Sequence, residues 1–165
     1  MRISVVRGDI VEQDVDAVVN AANRRMRGGG GVDGAIHAAA GPGLLRECVE
    51  RFPDGLPTGR AGWTTGHNLP ARWVIHVVGP NYRAGERDRS LLESCYREAL
   101  AVADELGAAT VAFPLVSAGI YGWPTDDAVR TAVRTVRDTP TDVSEARFVA
   151  FGEEIHRLLR AETGD

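Results

Sequence analysis

Apolar residues fall into short runs separated by polar or glycine-bearing stretches, and runs with strand character alternate along the chain with runs of helical spacing. Ile3-Ser4-Val5-Val6 alternates weakly and stops at Gly8-Asp9, which predicts a strand delivering Asp9 to a loop. Ala17-Val18-Val19 and Thr110 to Val116 are near-continuous apolar runs of the kind that buried strands make. Ala61 to Gly66 and Trp73 to Val78 are strand candidates joined by a turn at Asn68-Leu69-Pro70, and Ala146 to Phe151 is a last strand. Helical patterns cover Ala35 to Ala40, Leu44 to Phe52, Ser90 to Leu106, Thr125 to Arg137 and Glu153 to Glu162. Gly41-Pro42, Pro53 and Gly107 stop the first three of these. Strands alternating with helices imply an α/β fold, its sheet largely parallel and covered by helices on both faces.

The densest punctuation is Gly28-Gly29-Gly30-Gly31, followed by Val32-Asp33-Gly34 and the opening of the first helix. Such a run costs backbone entropy that a packed helix or strand would not repay, so it marks a sharp bend or a close approach to a ligand. A flexible linker has the same composition, but apolar segments flank this one on both sides. A glycine loop feeding a helix N-terminus presents unpaired N–H groups and the positive end of a helix dipole, which suits an anion such as phosphate. Asp33 at that mouth reads either as an N-cap or as a catalytic acid–base group. Ser117 to Gly122 repeats the arrangement, a glycine-bearing loop between the strand ending at Val116 and the helix from Thr125. Two such mouths suit a diphosphate gripped from both sides. Asp9, Asn23, the glycine run, the second loop and Phe151 all fall at or beyond strand C-terminal ends, where α/β sheets bind ligands.

Composition narrows the chemistry. The 165 residues are expected to form one domain, residues 1–165, with an ordinary core at 44% hydrophobic content. A formal charge of −4 argues against wholesale nucleic-acid binding and leaves only local clusters such as Arg24, Arg25 and Arg27. No apolar stretch approaches a bilayer span and no signal-peptide core opens the chain, so a cytoplasmic protein without a membrane partner is expected. Cys48 and Cys95 read as buried thiols, and His76, inside an apolar strand, as a satisfied core histidine. Neither glycine loop is a Walker A or a dinucleotide fingerprint, and neither metal-ligand spacing nor a Gly-x-Ser-x-Gly elbow occurs. Ser117 has no identifiable base beside it, so its hydroxyl reads as a phosphate-loop group rather than a nucleophile.

Together, Gly8-Asp9-Ile10, Val15 to Asn23, Gly28 to His37, Val74 to Pro80 and Ser117 to Gly122 resemble the macrodomains of the MacroD type. The resemblance covers nearly the whole chain. It implies a three-layer α/β/α macrodomain fold with a central mixed, largely parallel sheet. It also implies binding of ADP-ribose, removal of mono-ADP-ribose from acidic side chains of proteins and deacetylation of O-acetyl-ADP-ribose, with neither metal nor cofactor required. Residue by residue, Asp9 with the Ile10 N–H resembles the adenine anchor. Phe151 resembles the aromatic packed on the base, although a core phenylalanine reads almost as well. Gly30, Gly31 and Val32 resemble the first diphosphate loop, and Ser117, Ala118, Gly119, Ile120 and Tyr121 the second, Tyr121 lying over the distal ribose. Asn20 falls among the ligand-binding positions, Asn23 resembles the asparagine on the distal ribose, and Asp33 the catalytic aspartate. At Arg25-Met26-Arg27 the family pattern of an apolar pair is replaced, and the added charge suits acidic protein segments or ADP-ribosylated nucleic-acid ends. A monomer is expected. A module that reads ADP-ribose without turning it over is the rival, with Asn23 and Asp33 together favouring the enzyme. An RNA or poly-ADP-ribose binder would want a basic face that −4 does not supply.

Overall fold

The apolar runs at Ala17–Ala22 (β2) and Trp73–Val78 (β4) are buried on both faces, and they lie side by side in the middle of the sheet. A computed structural model describes residues 1–164. The remaining strands are Arg2–Arg7 (β1), Ala61–Thr65 (β3), Thr110–Phe113 (β5) and Glu145–Ala150 (β6). They form one six-stranded sheet in the order β1-β6-β5-β2-β4-β3. Only β3, at the edge, runs antiparallel to its neighbour; the other pairings are parallel.

Helices Gly31–Ala40 (α1) and Pro42–Arg51 (α2) cover one face, packing Ile36, Leu44 and Cys48 onto Val18, Val74 and Val78. Helices Arg89–Leu106 (α3), Thr125–Asp138 (α4) and Glu153–Thr163 (α5) cover the other. There Tyr96, Phe113 and Phe148 stack as tilted rings about 5.7 Å apart. Period-two alternation decides the partition: Ala17 and Val19 face α3, whereas Val18 and Asn20 face α1 and α2. The architecture is the three-layer α/β/α fold with a mixed, largely parallel sheet.

Several boundaries move for identifiable reasons. Strand β2 runs on through Asn20-Ala21-Ala22, because these pair with His76-Val77-Val78 of β4. Strand β5 ends at Phe113, since Pro114 has no N–H for the ladder. Helix α1 starts at Gly31 rather than Ala35, so two glycines sit inside a helix after all. Gly34 is required there: a Cβ would stand 2.5 Å from the Gly29 carbonyl oxygen. Cys48 and Cys95 are free and buried, as the sequence suggests. No helix among the described residues is long and apolar enough to cross a membrane.

Candidate functional site

Beyond the C-terminal ends of the strands lies a cleft of about 420 Å³. Its floor is Ala21, Ala22 and Asn23 at the end of β2 together with Gly79 after β4. One wall is Gly30 to Asp33, the other Pro114 to Tyr121, and Val149, Phe151 and Ile155 close the far end. The structure thus brings together Asn23, Gly30, Gly31, Val32, Asp33, Ser117, Ala118, Gly119, Ile120, Tyr121 and Phe151.

The first wall is the start of α1. Gly30 caps that helix and Gly31 takes a φ of +59°, so the N–H groups of the opening turn have no carbonyl behind them and stand along the cleft. Asp33 is therefore not the N-cap; it sits in the first turn, 4% exposed. Its Oδ1 accepts a hydrogen bond from Asn20 Nδ2 at 2.9 Å and lies 3.4 Å from His37 Nε2. Burial raises the Asp33 carboxyl above the ordinary aspartate range, with the Asn20 hydrogen bond and His37 opposing. The Asn23 side chain donates to the Gly28 carbonyl at 3.2 Å and accepts from the Arg25 N–H at 3.1 Å. Asn23 Nδ2 and Asp33 Oδ2 each lie 3.3 Å from where a Cβ on Gly29 would stand. An amide and a carboxylate oxygen thus converge on one point that a glycine leaves open.

The second wall is a turn. Ser117 is held at φ +65°, its carbonyl accepts from the Trp123 N–H at 2.9 Å, and Gly122 N–H closes onto the Gly119 carbonyl at 3.0 Å. Arg83 N–H ties the Tyr121 carbonyl at 3.0 Å, and Tyr82 meets Trp123 edge-on. The Ser117 hydroxyl is buried without a partner, packed where a Cβ on Gly79 would overlap it. No base among the described residues reaches it. None of α4 lines the cleft, so only the first wall is a helix N-terminus; the second offers the amides of a turn. Ile120, 61% exposed, bridges the two, its Cδ1 3.1 Å from the Cβ position of Gly30. Burial raises the Tyr121 phenol as well.

Two expectations shift, and the open choice at Phe151 closes. Asn20 is fully buried, and its amide is spent on Asp33 and His76, so it supports the site from behind rather than contacting a ligand. Phe151 is no core residue: at 87% exposure it is the most open large apolar side chain, standing at the cleft's end. The arginine cluster is mostly consumed. Arg27 donates to the carbonyls of Arg25, Met26, Phe52 and Pro53, capping the end of α2, while Arg24 pairs with Glu86 at 2.6 Å. Of the three, only the Arg25 side chain is left without a partner among the described residues. Asp9 lies just outside the lining, its Oδ1 accepting from the Val11 N–H at 3.1 Å. Gly8 N–H binds the Ala150 carbonyl at 3.0 Å, which sets Asp9 and Ile10 at the Phe151 end. Sequence reasoning misses His37, although its helical i,i+4 spacing from Asp33 is a readable signal. No group of three or more His, Cys, Asp or Glu side chains among the described residues is placed to hold a metal.

An α/β/α sandwich with a cleft between a helix-opening glycine loop and a second turn, both beyond the strand ends, defines a class of phosphate-ligand domains. Residues 19–132 match the Macro domain family, and the chain belongs to it. It is 55% identical to a macro domain-containing protein of Streptomyces nogalater, over 99% of this chain and 92% of that one. It is also 55% identical to one of Streptomyces coelicolor, over 98% of each. Among solved structures, an Oceanobacillus iheyensis macrodomain with ADP superposes at a TM-score of 0.92 with 38% identity, covering 97% of this chain and 88% of that one. A Trypanosoma brucei macrodomain in complex with ADP-ribose superposes at 0.89 with 40% identity, covering 98% and 69%.

Proposed function

We propose that this cleft binds ADP-ribose and that the chain hydrolyses ADP-ribosyl esters of aspartate and glutamate side chains, the MacroD-type activity, with O-acetyl-ADP-ribose as a related substrate. The observation that carries the reading is the convergence of Asn23 Nδ2 and buried Asp33 Oδ2 on the open point at Gly29. In this reading the diphosphate lies between the opening amides of α1 and the turn at Ser117 to Tyr121, and the adenine lies at the Asp9, Ile10 and Phe151 end. Structures of the bacterial and trypanosomal macrodomains with ADP and ADP-ribose support that ligand class. The distal ribose is then held by Asn23 under Tyr121. Water attacks the anomeric carbon, and the acidic side chain leaves as a carboxylate, or it attacks the acyl carbon, and the ribose oxygen leaves and takes up a proton; in both routes Asp33, helped by the substrate's phosphate, takes the proton of the attacking water. A carboxyl raised by burial is a better proton acceptor than an exposed aspartate, and that is the property the step needs.

The test is to incubate the purified protein with a protein bearing glutamate-linked mono-ADP-ribose and to follow released ADP-ribose, with calorimetry on free ADP-ribose alongside. Release together with binding is expected. Binding without release would make the chain a reader, and no binding at all would remove the ligand assignment.

A further inference from the structure

Behind Asp33 stands a chain of buried polar groups crossing three adjacent strands. Asn20 on β2 and His76 on β4 are directly paired in the sheet, and both are 0% exposed. Asn20 Nδ2 lies 2.9 Å from Asp33 Oδ1 and 3.1 Å from His76 Nδ1, and His76 Nε2 lies 3.0 Å from Thr64 Oγ1 on β3. With the Asn20 nitrogen turned to both Asp33 and His76, donor and acceptor chemistry sets the proton positions. An amide nitrogen donates, so its two hydrogens go to Asp33 Oδ1 and to His76 Nδ1, and that imidazole nitrogen must carry no proton. The His76 proton therefore sits on Nε2 and points at Thr64. Burial holds the ring neutral, with its pKa pushed down to about 3. The cost of the arrangement is visible: Asn20 Oδ1 is buried with no partner. An asparagine placed there only for packing would gain by satisfying that oxygen; here it is left bare so that the nitrogen can face two acceptors.

We propose that Asn20 and His76 are positioning residues for Asp33: the imidazole orients the Asn20 amide, and that amide holds Oδ1, leaving Oδ2 on the side of Gly29 and Asn23. The proposal rests on the reading of Asp33 as the proton acceptor. The remaining titratable groups near Asp33 are His37 on its own helix, Cys48 from α2 with its thiol raised to about 11, and Tyr121 from the second loop with its phenol raised. Cys48 and Tyr121 are neutral at working pH, so the Asn20 hydrogen bond and His37 are what hold the Asp33 carboxyl down against its burial.

The experiment uses the full chain with Asn20→Leu, His76→Phe and the hydrogen-bonding replacement His76→Gln. Carbon-13 NMR titration of the Asp33 carboxyl should move upward in Asn20→Leu and His76→Phe and stay nearer the parent in His76→Gln. On the ester substrate, kcat should fall about 10- to 100-fold in the first two, the scale of a small misplacement of a catalytic group, with KM and ADP-ribose affinity unchanged. An unmoved Asp33 titration in both disruptive variants overturns the proposal, and so does a loss of ADP-ribose affinity that accounts for the whole effect. Should the parent show no turnover while the titration moves as stated, the hydrolase reading falls and the positioning stands. Should the variants fail to fold, the nitrogen-15 imidazole spectrum of the parent decides: Nε2–H with bare Nδ1 is expected for His76, and the opposite tautomer or a doubly protonated ring overturns the proposal.

Discussion

The two walls of the cleft reach similar positions by different physics. The wall from Gly30 to Asp33 is a helix opening, and behind it a buried polar network ends on one carboxylate. The wall from Ser117 to Gly122 is a turn secured by backbone hydrogen bonds, by Arg83 and by the Tyr82–Trp123 contact, and its outer residues are exposed. A buried network can hold one oxygen of Asp33 in place, while burial itself raises the carboxyl's proton affinity against the Asn20 hydrogen bond. A turn of main-chain amides can only grip. The contrast separates chemistry from binding: changes in the first wall should act on turnover, changes in the second on affinity.

The sharpest way to break that separation is Asp33→Asn. It keeps the shape and the bond from Asn20 but removes the proton acceptor, so hydrolysis should fall by about 10²- to 10⁴-fold while calorimetric ADP-ribose affinity is retained. Stability should move the other way. Because the folded carboxyl is raised, the folded state holds the Asp33 proton more tightly than the unfolded chain does, and parental stability falls as pH rises from the ordinary aspartate range through the raised value. The Asn variant lacks that loss, so its Tm advantage should open across this window and vanish below it. Parental turnover in the variant would shift the proton transfer to the substrate's phosphate.

Next in size come paired glycine changes that push each wall separately. Gly34→Ala places a Cβ 2.5 Å from the Gly29 carbonyl, and Gly79→Ala drives one into the Ser117 hydroxyl and Val116. Each should cost about 1–3 kcal/mol in denaturant unfolding, the usual penalty for overpacking. Functionally they should diverge. Gly34→Ala displaces the Gly29 point on which Asn23 and Asp33 converge and should lower kcat; Gly79→Ala displaces the gripping turn and should mainly weaken ADP-ribose binding. Equal effects on both parameters in both variants would dissolve the distinction.

How far the sequence discloses this division differs between the walls. Strand and helix order, the glycine loop, Asn23, Asp33 and the Ser117 turn all follow from local pattern, because glycine punctuation and apolar period are local properties. The supporting roles do not. Asn20 reads as a strand-end ligand contact because nothing in the chain before it says which face of β2 will be covered by α1; the pairing with His76 fixes that from 56 residues away. Arg27 reads as surface charge, yet its carbonyl partners Phe52 and Pro53 lie 25 and 26 residues further on, where α2 has ended. Phe151 lies between these cases: its place at the end of a strand suggests the cleft and its apolar neighbours suggest the core, and the end of β6 at Ala150 leaves it outside, at the cleft.

The smallest expected effect tests the second wall alone. A Cβ added at Gly119 would meet no neighbour within 4 Å, and the residue has no left-handed φ, so the folded protein tolerates a side chain there without clash or backbone strain. Gly119→Val should leave Tm and m-value at the parental figures. If the turn grips a diphosphate through its amides, a β-branched side chain stands in the ligand's path, and affinity should drop by roughly tenfold, or about 1.4 kcal/mol. Because the protein itself offers no steric objection, any loss belongs to the ligand. Turnover at saturating substrate should stay near the parent, since Asp33 and its network lie on the other wall. A variant that binds as tightly as the parent would instead reduce Gly119 to the acceptor that closes the turn with Gly122, and would move the grip onto the opening amides of α1.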